Sequence, residues 1–262
     1  MNKLLLKFFM LLWLCLLPIN VFGNKILIIS IPKCGSNLLA KAIDLLLDRP
    51  SGLTSNFISY EIDEKCINSV LRVPDFTPLF VHGFYNEWAE SQLIKNRIKT
   101  LFIYRDPRDQ LISFIYWRKR LTLDKYSMDE CIFSGIEHGV RELYFNWPGI
   151  IGIDYFYRSF MPWIQSSIVY SVRFEDLVGP RGGGSLECQV RELENIAQHI
   201  GLSVTPEQVK TVAENLFGRF TTFREGQIGS WKKHFNEEHK KVFKHVAGQL
   251  LIDLGYEKDF DW

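Results

Sequence analysis

The sequence has almost no excess of charge of either sign, since 31 lysine and arginine residues stand against 30 aspartate and glutamate residues. A formal net charge of +1 gives no electrostatic reason for the whole surface to attract a nucleic acid. We therefore expect no nucleic-acid partner. Any binding site for an anion must be built locally, from a few cations that the fold brings together.

Cysteine is scarce, and its spacing does not match the usual zinc sites. The five cysteines contain no Cys-x-x-Cys pair and no cysteine–histidine pairing, so we expect no structural metal. Asn-x-Ser/Thr sequons are also absent, which gives no support for a glycosylated luminal protein. One or two disulfides remain open, because the spacing does not indicate which cysteines would pair.

A long hydrophobic run occurs only at the N-terminus. Residues 4–17 are apolar except for Lys7, follow a short basic start, and precede small or modest residues that end at Gly23. This layout is typical of a secretory signal peptide, with a single-pass membrane anchor as the second choice and a buried or amphipathic helix as the third. We expect a leader over residues 1–23, one domain over residues 24–262, and a protein that is exported or membrane-anchored.

The rest of the chain alternates strand and helix patterns, which predicts an α/β fold with a mainly parallel central sheet flanked by helices. A length of 262 residues suits one large core. Short β-branched or apolar runs predict strands over residues 25–30, 79–82, 100–104 and 168–174. Helical patterns cover residues 37–47, 106–120, 187–200, 206–217 and 237–254, and a glycine-rich loop covers residues 179–184.

The stretch over residues 121–162 has no clear period and is rich in aromatic side chains, including Tyr144, Phe145 and Trp147. We interpret it as helices and loops that cover the binding site of a second substrate.

A candidate anion site lies between the first strand and the first helix, at Pro32, Lys33, Cys34, Gly35, Ser36 and Asn37. Such a loop surrounds an anion with backbone N–H groups, and the helix N-terminus adds positive potential. Lys33 supplies a full charge and Ser36 a hydroxyl. The order of residues is not that of a Walker A loop, G-x-x-x-x-G-K-[ST]. A tight turn with an exposed lysine is the alternative.

These residues resemble the 5′-phosphosulfate loop of the sulfotransferases that use 3′-phosphoadenosine-5′-phosphosulfate (PAPS), commonly Y-P-K-S-G-T-T-W. The resemblance implies a P-loop NTPase-like sulfotransferase fold. It also implies that Lys33 neutralises charge on the departing phosphate and that Ser36 and Asn37 take the positions of hydroxyl donors. Two residues depart from the pattern, since Cys34 replaces a serine and Leu38 replaces the tryptophan that stacks on adenine.

A second candidate site follows the third predicted strand, where Arg105 ends the strand and Ser113 lies about two turns into the next helix. An arginine fork and a serine hydroxyl can converge on one phosphate. The alternative is a helix capped by Asp106 with surface ion pairs. The family uses R-N/D-P-x-D followed by a serine at this same separation, which implies a 3′-phosphate site.

A third segment, residues 224–232, resembles the family's C-terminal signature R-K-G-x-x-G-D-W-K. The resemblance implies that this segment closes over the 3′-phosphate with Arg224, Gly226 and the residue between them. That residue, Glu225, and Ser230 depart from the signature. It also implies that Phe174 lies near the adenine.

His82, at the end of the second predicted strand, is the candidate general base, because a neutral imidazole can accept a proton from the acceptor. A structural hydrogen bond is the alternative role, and Glu87 is the reserve candidate base.

We therefore predict a sulfotransferase that moves a sulfuryl group from PAPS to a hydroxyl or amine, releases 3′,5′-adenosine bisphosphate (PAP) and uses no metal. The acceptor is a small molecule, a glycan or a lipid. The alternatives are a P-loop-type nucleotide-dependent kinase and a non-catalytic nucleotide-binding relative.

Overall fold

The computed structural model describes residues 23–49, 57–121, 124–137, 152–218 and 223–262. The predicted leader, apart from Gly23, lies outside the described residues, and so does the middle of the aromatic stretch with Tyr144, Phe145 and Trp147. None of the described helices has the length and apolarity that crossing a membrane requires.

Five strands form one sheet with the order β2-β3-β1-β4-β5, and every neighbouring pair is parallel. This arrangement confirms the predicted parallel sheet. The strands are β1 (Ile26–Ser30), β2 (Phe57–Ser59), β3 (Pro78–Val81), β4 (Lys99–Tyr104) and β5 (Val169–Arg173).

Both faces of the sheet are buried, which explains why its central strands are continuously apolar. Ile26 and Ile28 of β1 point into one core, and Leu27 and Ile29 point into the other. Helices cover each face, so the sheet lies in the middle of three layers. The helices are α1 (Ser36–Leu46), α2 (Glu64–Arg72), α3 (Glu87–Lys95), α4 (Pro107–Lys119), α5 (Met128–Glu137), α6 (Gly152–Arg158), α7 (Pro162–Gln165), α8 (Phe174–Leu177), α9 (Leu186–Ile200), α10 (Pro206–Leu216) and α11 (Glu237–Asp253).

The predicted and observed elements differ in a few places. Strand β2 and helices α2 and α3 were not predicted, although the side chains of Asp63 and Asn86 cap the two helices by accepting bonds from backbone N–H groups. Phe174 starts the short helix α8 instead of ending the strand before it. The predicted loop at residues 179–184 contains a 3-10 turn, Pro180–Gly182.

The order of the strands determines where a ligand can bind. The chain crosses from one side of β1 to the other between β3 and β4. In open parallel sheets, ligands bind at the carboxyl ends of the strands beside such a crossing. The residues that follow β1, β3 and β4 are therefore the first place to look for a site.

Candidate active site

Four neighbouring strands end at this edge, and a predicted site residue follows each of them. His82 follows β3, the loop of residues 31–36 follows β1, Arg105 follows β4 and Phe174 follows β5. The parallel register aligns these strand ends, since Ile29 pairs with Val81 and Tyr104 pairs with Arg173. The structure thus brings together residues that are far apart in the sequence.

The loop of residues 31–36, here called the anion loop, turns sharply out of β1. Its turn is closed by the backbone N–H of Cys34, which donates to the carbonyl oxygen of Ile31 over 3.1 Å. Gly35 has a φ of 106°, and a Cβ there would lie 2.8 Å from the ring of Phe174, so glycine is needed both for conformation and for space. Helix α1 then begins at Ser36, which directs its first N–H groups into the site.

Helix α4 fixes the position of the anion loop. The side-chain amide of Gln110 is buried and donates to the carbonyl oxygen of Pro32 over 2.8 Å. Lys33, Gly35 and Asn37 are partly exposed, whereas Pro32, Cys34 and Ser36 are buried. The loop therefore presents its lysine and its glycine outwards from a backbone that is held on both sides.

Lys33 lies in a region of strong positive potential. Burial, followed by the charges of Arg120, Arg105 and Arg224, lowers the pKa of its ammonium from 10.5 to about 8. The ammonium lies 5.9 Å from the centre of the Trp117 ring. An anion bound at this point would offset the mutual repulsion of these cations and favour the charged form of the lysine.

His82 lies beside the end of β1. Its Nδ1 is 2.9 Å from the carbonyl oxygen of Ser30 and 3.0 Å from the Ser30 hydroxyl. A carbonyl oxygen only accepts, so Nδ1 carries the hydrogen and Nε2 carries the lone pair of the neutral ring. Burial lowers the pKa of His82 to about 4, with a smaller contribution from the charge of Lys33. The imidazole is therefore neutral at physiological pH.

Glu87, the reserve candidate for the base, is the exposed first residue of α3. Nothing around it provides the burial and the fixed orientation that His82 has. The geometry thus favours His82.

Arg105 is buried at the end of β4, and its guanidinium carbon lies 4.2 Å from the centre of the Phe174 ring. One Nη donates to the carbonyl oxygen of Gln227 over 2.5 Å, and the same nitrogen lies 3.5 Å from the carboxylate of Asp109. The Nε atom is buried without a hydrogen-bond partner in the described part of the chain. Arg105 therefore keeps one N–H that a ligand can satisfy.

The loop of residues 223–229, here called the C-terminal loop, is fastened to α4 by one carboxylate. Asp109 is fully buried and accepts hydrogen bonds from the N–H of Gly229 (2.7 Å), the hydroxyl of Ser230 (3.0 Å) and the N–H of Trp231 (2.8 Å). Three donors to one ionised group form a strong anchor. The serine that departs from the family signature at position 230 is one of these donors.

One face of α4 lies between the anion loop and the C-terminal loop. Asp109, Ser113 and Trp117 follow each other at a spacing of four residues, and Tyr116 lies three residues after Ser113 at the border of the same face. Tyr116 packs against the guanidinium of Arg224, 4.4 Å from its ring centre, while Trp117 approaches Lys33. Ser113 lies between these contacts and is half-buried, so it faces the same space.

The structure places the remaining predicted residues of the C-terminal loop beside this helix face. Arg224 pairs with the adjacent carboxylate of Glu225 over 2.7 Å, and the Nε of Arg224 is buried without a hydrogen-bond partner among the described residues. Gly226 has a φ of 63°, which glycine adopts without strain. Glu225 thus partly neutralises Arg224, where the family pattern has a second cation.

Several residues that shape the site were not found from the sequence. Asp109, Gln110, Trp117 and Tyr157 were not predicted as residues of the site. Asp109, Gln110 and Tyr157 form hydrogen bonds with residues that lie between 52 and 123 positions away in the sequence. The local sequence around each of them therefore gives no indication of these contacts. The helical spacing of Trp117 from Ser113 and Asp109 on α4 was the one signal in the sequence that could have placed Trp117 beside the site.

The fold and the site define an α/β protein with an anion-binding strand–loop–helix unit, a buried arginine and a neutral histidine at one sheet edge. The family model described as "Sulfotransferase domain" matches residues 23–255, and the chain belongs to this family. It is an enzyme that transfers a sulfuryl group from PAPS, which confirms the predicted function over that of a nucleotide-dependent kinase.

Characterised relatives span most of the chain. Sulfotransferase 6B1 of Mus musculus is 26% identical over 90% of this chain and 80% of its own length. Sulfotransferase 2A1 of Homo sapiens is 21% identical over 91% of this chain and 88% of its own length.

Solved structures share the fold. The mouse sulfotransferase SULT7A1 complexed with PAP superimposes with a TM-score of 0.66 at 16% identity, over 89% of this chain and 87% of its own. Retinol dehydratase with retinol and PAP gives a TM-score of 0.61 at 15% identity, over 89% and 82% of the two chains. These likenesses confirm the predicted sulfotransferase fold.

The described cysteines, Cys34, Cys66, Cys131 and Cys188, are free thiols. A search of the described residues finds no group of three or more histidine, cysteine, aspartate or glutamate side chains arranged to hold a metal ion.

Replacing Asp109 tests the anchor of the C-terminal loop. We expect Asp109→Asn to weaken binding of PAP by about tenfold or more, because an amide turns an N–H₂ group towards backbone donors and no longer pairs with Arg105. Isothermal titration calorimetry gives the affinity, and thermal unfolding reports whether the domain still folds.

Asp154→Asn is the matched control, since Asp154 pairs with Arg158 at the surface. We expect this variant to keep PAP affinity within about twofold of wild type. Wild-type affinity in Asp109→Asn would contradict the role of the anchor.

Proposed function

We propose that the anion loop and the cations around it hold the two ends of PAPS. The 5′-phosphosulfate lies at Pro32, Lys33, Cys34, Gly35, Ser36 and Asn37, and the 3′-phosphate lies at Arg105, Ser113, Arg224 and the loop of Glu225 and Gly226. PAPS supplies an activated sulfuryl group. The convergence of Lys33, Arg105 and Arg224 supports this assignment, because the charges of the two arginines lower the pKa of Lys33 and an anionic ligand would offset this repulsion.

Phe174 supports the orientation of the nucleotide. Its ring contacts the guanidinium of Arg105 and lies against Gly35, so it stands between the two phosphate sites, where an adenosine would pass. Leu38, at the position of the family's stacking tryptophan, is aliphatic and has no ring that could stack on a base. We infer that Phe174 takes over part of the contact with the base.

His82 is the proposed general base. The hydrogen bond that Nδ1 donates to the carbonyl oxygen of Ser30 fixes the ring with its lone pair on Nε2, which can accept the proton of the acceptor hydroxyl as the new oxygen–sulfur bond forms. The bond between sulfur and the phosphate oxygen breaks at the same time, and the Lys33 ammonium offsets the charge that develops there. Alignment and electrostatic stabilisation carry the reaction, with no covalent intermediate.

The kinetics of variants test these roles. We expect His82→Gln to lower kcat by about 10²-fold or more while PAP affinity stays within about twofold, because the base contributes to the chemical step alone. Lys33→Ala should weaken PAP binding as well as turnover.

In wild type, kcat/KM should rise as pH increases through about 4, where His82 loses its proton, and fall through about 8, where Lys33 loses its charge.

Transfer from labelled PAPS at a series of pH values provides the measurement. Full activity in His82→Gln together with loss of activity in Glu87→Gln would move the base to the reserve candidate. Full activity in both His82→Gln and Lys33→Ala would contradict the site.

We further propose that the acceptor is a small apolar molecule with a hydroxyl group. Aromatic side chains surround the two proposed reactive residues, since the Tyr60 ring lies 6.0 Å from His82 and Trp117 lies beside Lys33. Tyr60 is partly exposed and can contact a ligand. The fold neighbour retinol dehydratase, whose structures contain retinol or androsterone, supports this class of acceptor over a glycan.

A comparison of acceptors tests the proposal. We expect kcat/KM for a hydroxysteroid or a small phenol to exceed that for a free sugar by at least about tenfold, because burying some 60 Å² of apolar surface is worth about 1.5 kcal/mol. Tyr60→Ala should narrow this ratio, whereas the exposed Ile94→Ala should not. Equal or better use of the sugar by wild type would contradict the proposed class.

We also propose, from the sequence alone, that residues 1–23 direct the chain into the secretory pathway. The full chain is expressed in a secreting eukaryotic cell. Mass spectrometry should find a mature N-terminus near residue 24, which indicates a cleaved leader, or an intact N-terminus on a chain that sediments with membranes, which indicates an anchor. Leu11→Arg should abolish both results, because a charge interrupts the apolar run. An intact Met1 on a chain that does not sediment with membranes would contradict the leader.

A further inference from the structure

Tyr157 of α6 lies behind the proposed nucleotide site and touches both of its anion-binding segments. Its side chain is fully buried. The phenol oxygen is 3.0 Å from the backbone carbonyl of Arg105 and 3.6 Å from the sulfur of Cys34 in the anion loop.

The chemistry of the partners sets the direction of both hydrogen bonds. The carbonyl of Arg105 can only accept, so it takes the single proton of the phenol. The thiol of Cys34 must then donate to the phenol oxygen. Burial raises the pKa of Cys34 to about 12, which keeps the thiol protonated for this bond. Two consecutive hydrogen bonds therefore run in one direction, from the Cys34 thiol to the Tyr157 hydroxyl and from this hydroxyl to the backbone carbonyl of Arg105.

Each anion-binding segment also has its own support. Gln110 holds the anion loop at Pro32, while Asp109 and Gln227 contact the guanidinium of Arg105. Loss of the Tyr157 hydroxyl would leave these contacts in place. The pairing of β1 with β4 brings the two segments close together, and the hydroxyl of Tyr157 adds a hydrogen-bonded link that contacts both of them beyond the ends of these strands.

We propose that Tyr157 is a positioning residue that sets the spacing between the 5′-phosphosulfate site and the 3′-phosphate site. The proposal rests on the nucleotide sites proposed above. A ligand with phosphates at both ends needs the correct spacing, whereas a ligand with one phosphate uses a single segment. The hydroxyl of Tyr157 should therefore matter to PAP and not to adenosine monophosphates.

The test compares three ligands, PAP, 5′-AMP and 3′-AMP, by calorimetry on wild type and Tyr157→Phe. We expect the variant to bind PAP about fivefold more weakly, as expected for the loss of one buried hydrogen bond, and both monophosphates within about twofold of wild type. A general loss of structure would weaken all three ligands together. Equal changes for all three, or none for PAP, would overturn the proposal.

Two further variants keep the result interpretable. Tyr170→Phe is the matched control, because it removes a tyrosine hydroxyl that bonds to Glu192 away from the site, and PAP binding should stay unchanged. Cys34→Ala should also weaken PAP binding, and combining it with Tyr157→Phe should weaken PAP binding by less than the product of the two single effects, because both side chains belong to one series of hydrogen bonds. Failure of wild type to bind PAP would refute the nucleotide sites themselves, which separates the two proposals.

Discussion

The site depends most on the buried carboxylate of Asp109. It is the point at which the helix after β4 and the C-terminal loop meet, with three donors from Gly229, Ser230 and Trp231 on one side and the guanidinium of Arg105 on the other. This tie adds to the direct bond from Arg105 to the carbonyl oxygen of Gln227, and together the two hold the C-terminal loop against the end of β4. A distant part of the chain thus completes a site that the sheet edge only begins.

The parallel sheet supplies the other constraint, because it orders the groups along one line. Strand order places His82, the anion loop, Arg105 and Phe174 side by side at the ends of β3, β1, β4 and β5. In the proposed complex this line follows the reaction from the acceptor and base, through the phosphosulfate, to the 3′-phosphate and the adenine. The crossing of the chain between β3 and β4 is what puts the base on one side of the anion loop and Arg105 on the other.

Much of this could be predicted from the sequence, because the main signals are local. A β-branched run, a loop with lysine and glycine and an apolar helix identify the strand–loop–helix unit, and Asp106 and Pro107 mark the start of α4. Strand β2 is only three residues long, too short for a periodic pattern. The bonds of Asp109, Gln110 and Tyr157 could not be predicted, because they join segments whose proximity is decided by packing of the whole chain.

The distribution of charge within the site also follows a chemical logic. At the proposed 3′-phosphate site, Arg105 lies near Asp109 and Arg224 pairs with Glu225, so the protein itself offsets part of the positive charge there. No carboxylate pairs with Lys33 in the described part of the chain, and burial and neighbouring cations lower the pKa of this lysine. The uncompensated positive potential is thus concentrated at Lys33, where, in the proposed complex, negative charge would develop as the sulfuryl group leaves the phosphate. Electrostatic stabilisation at that point lowers the barrier, whereas extra charge at the 3′ end would only tighten binding of substrate and product alike.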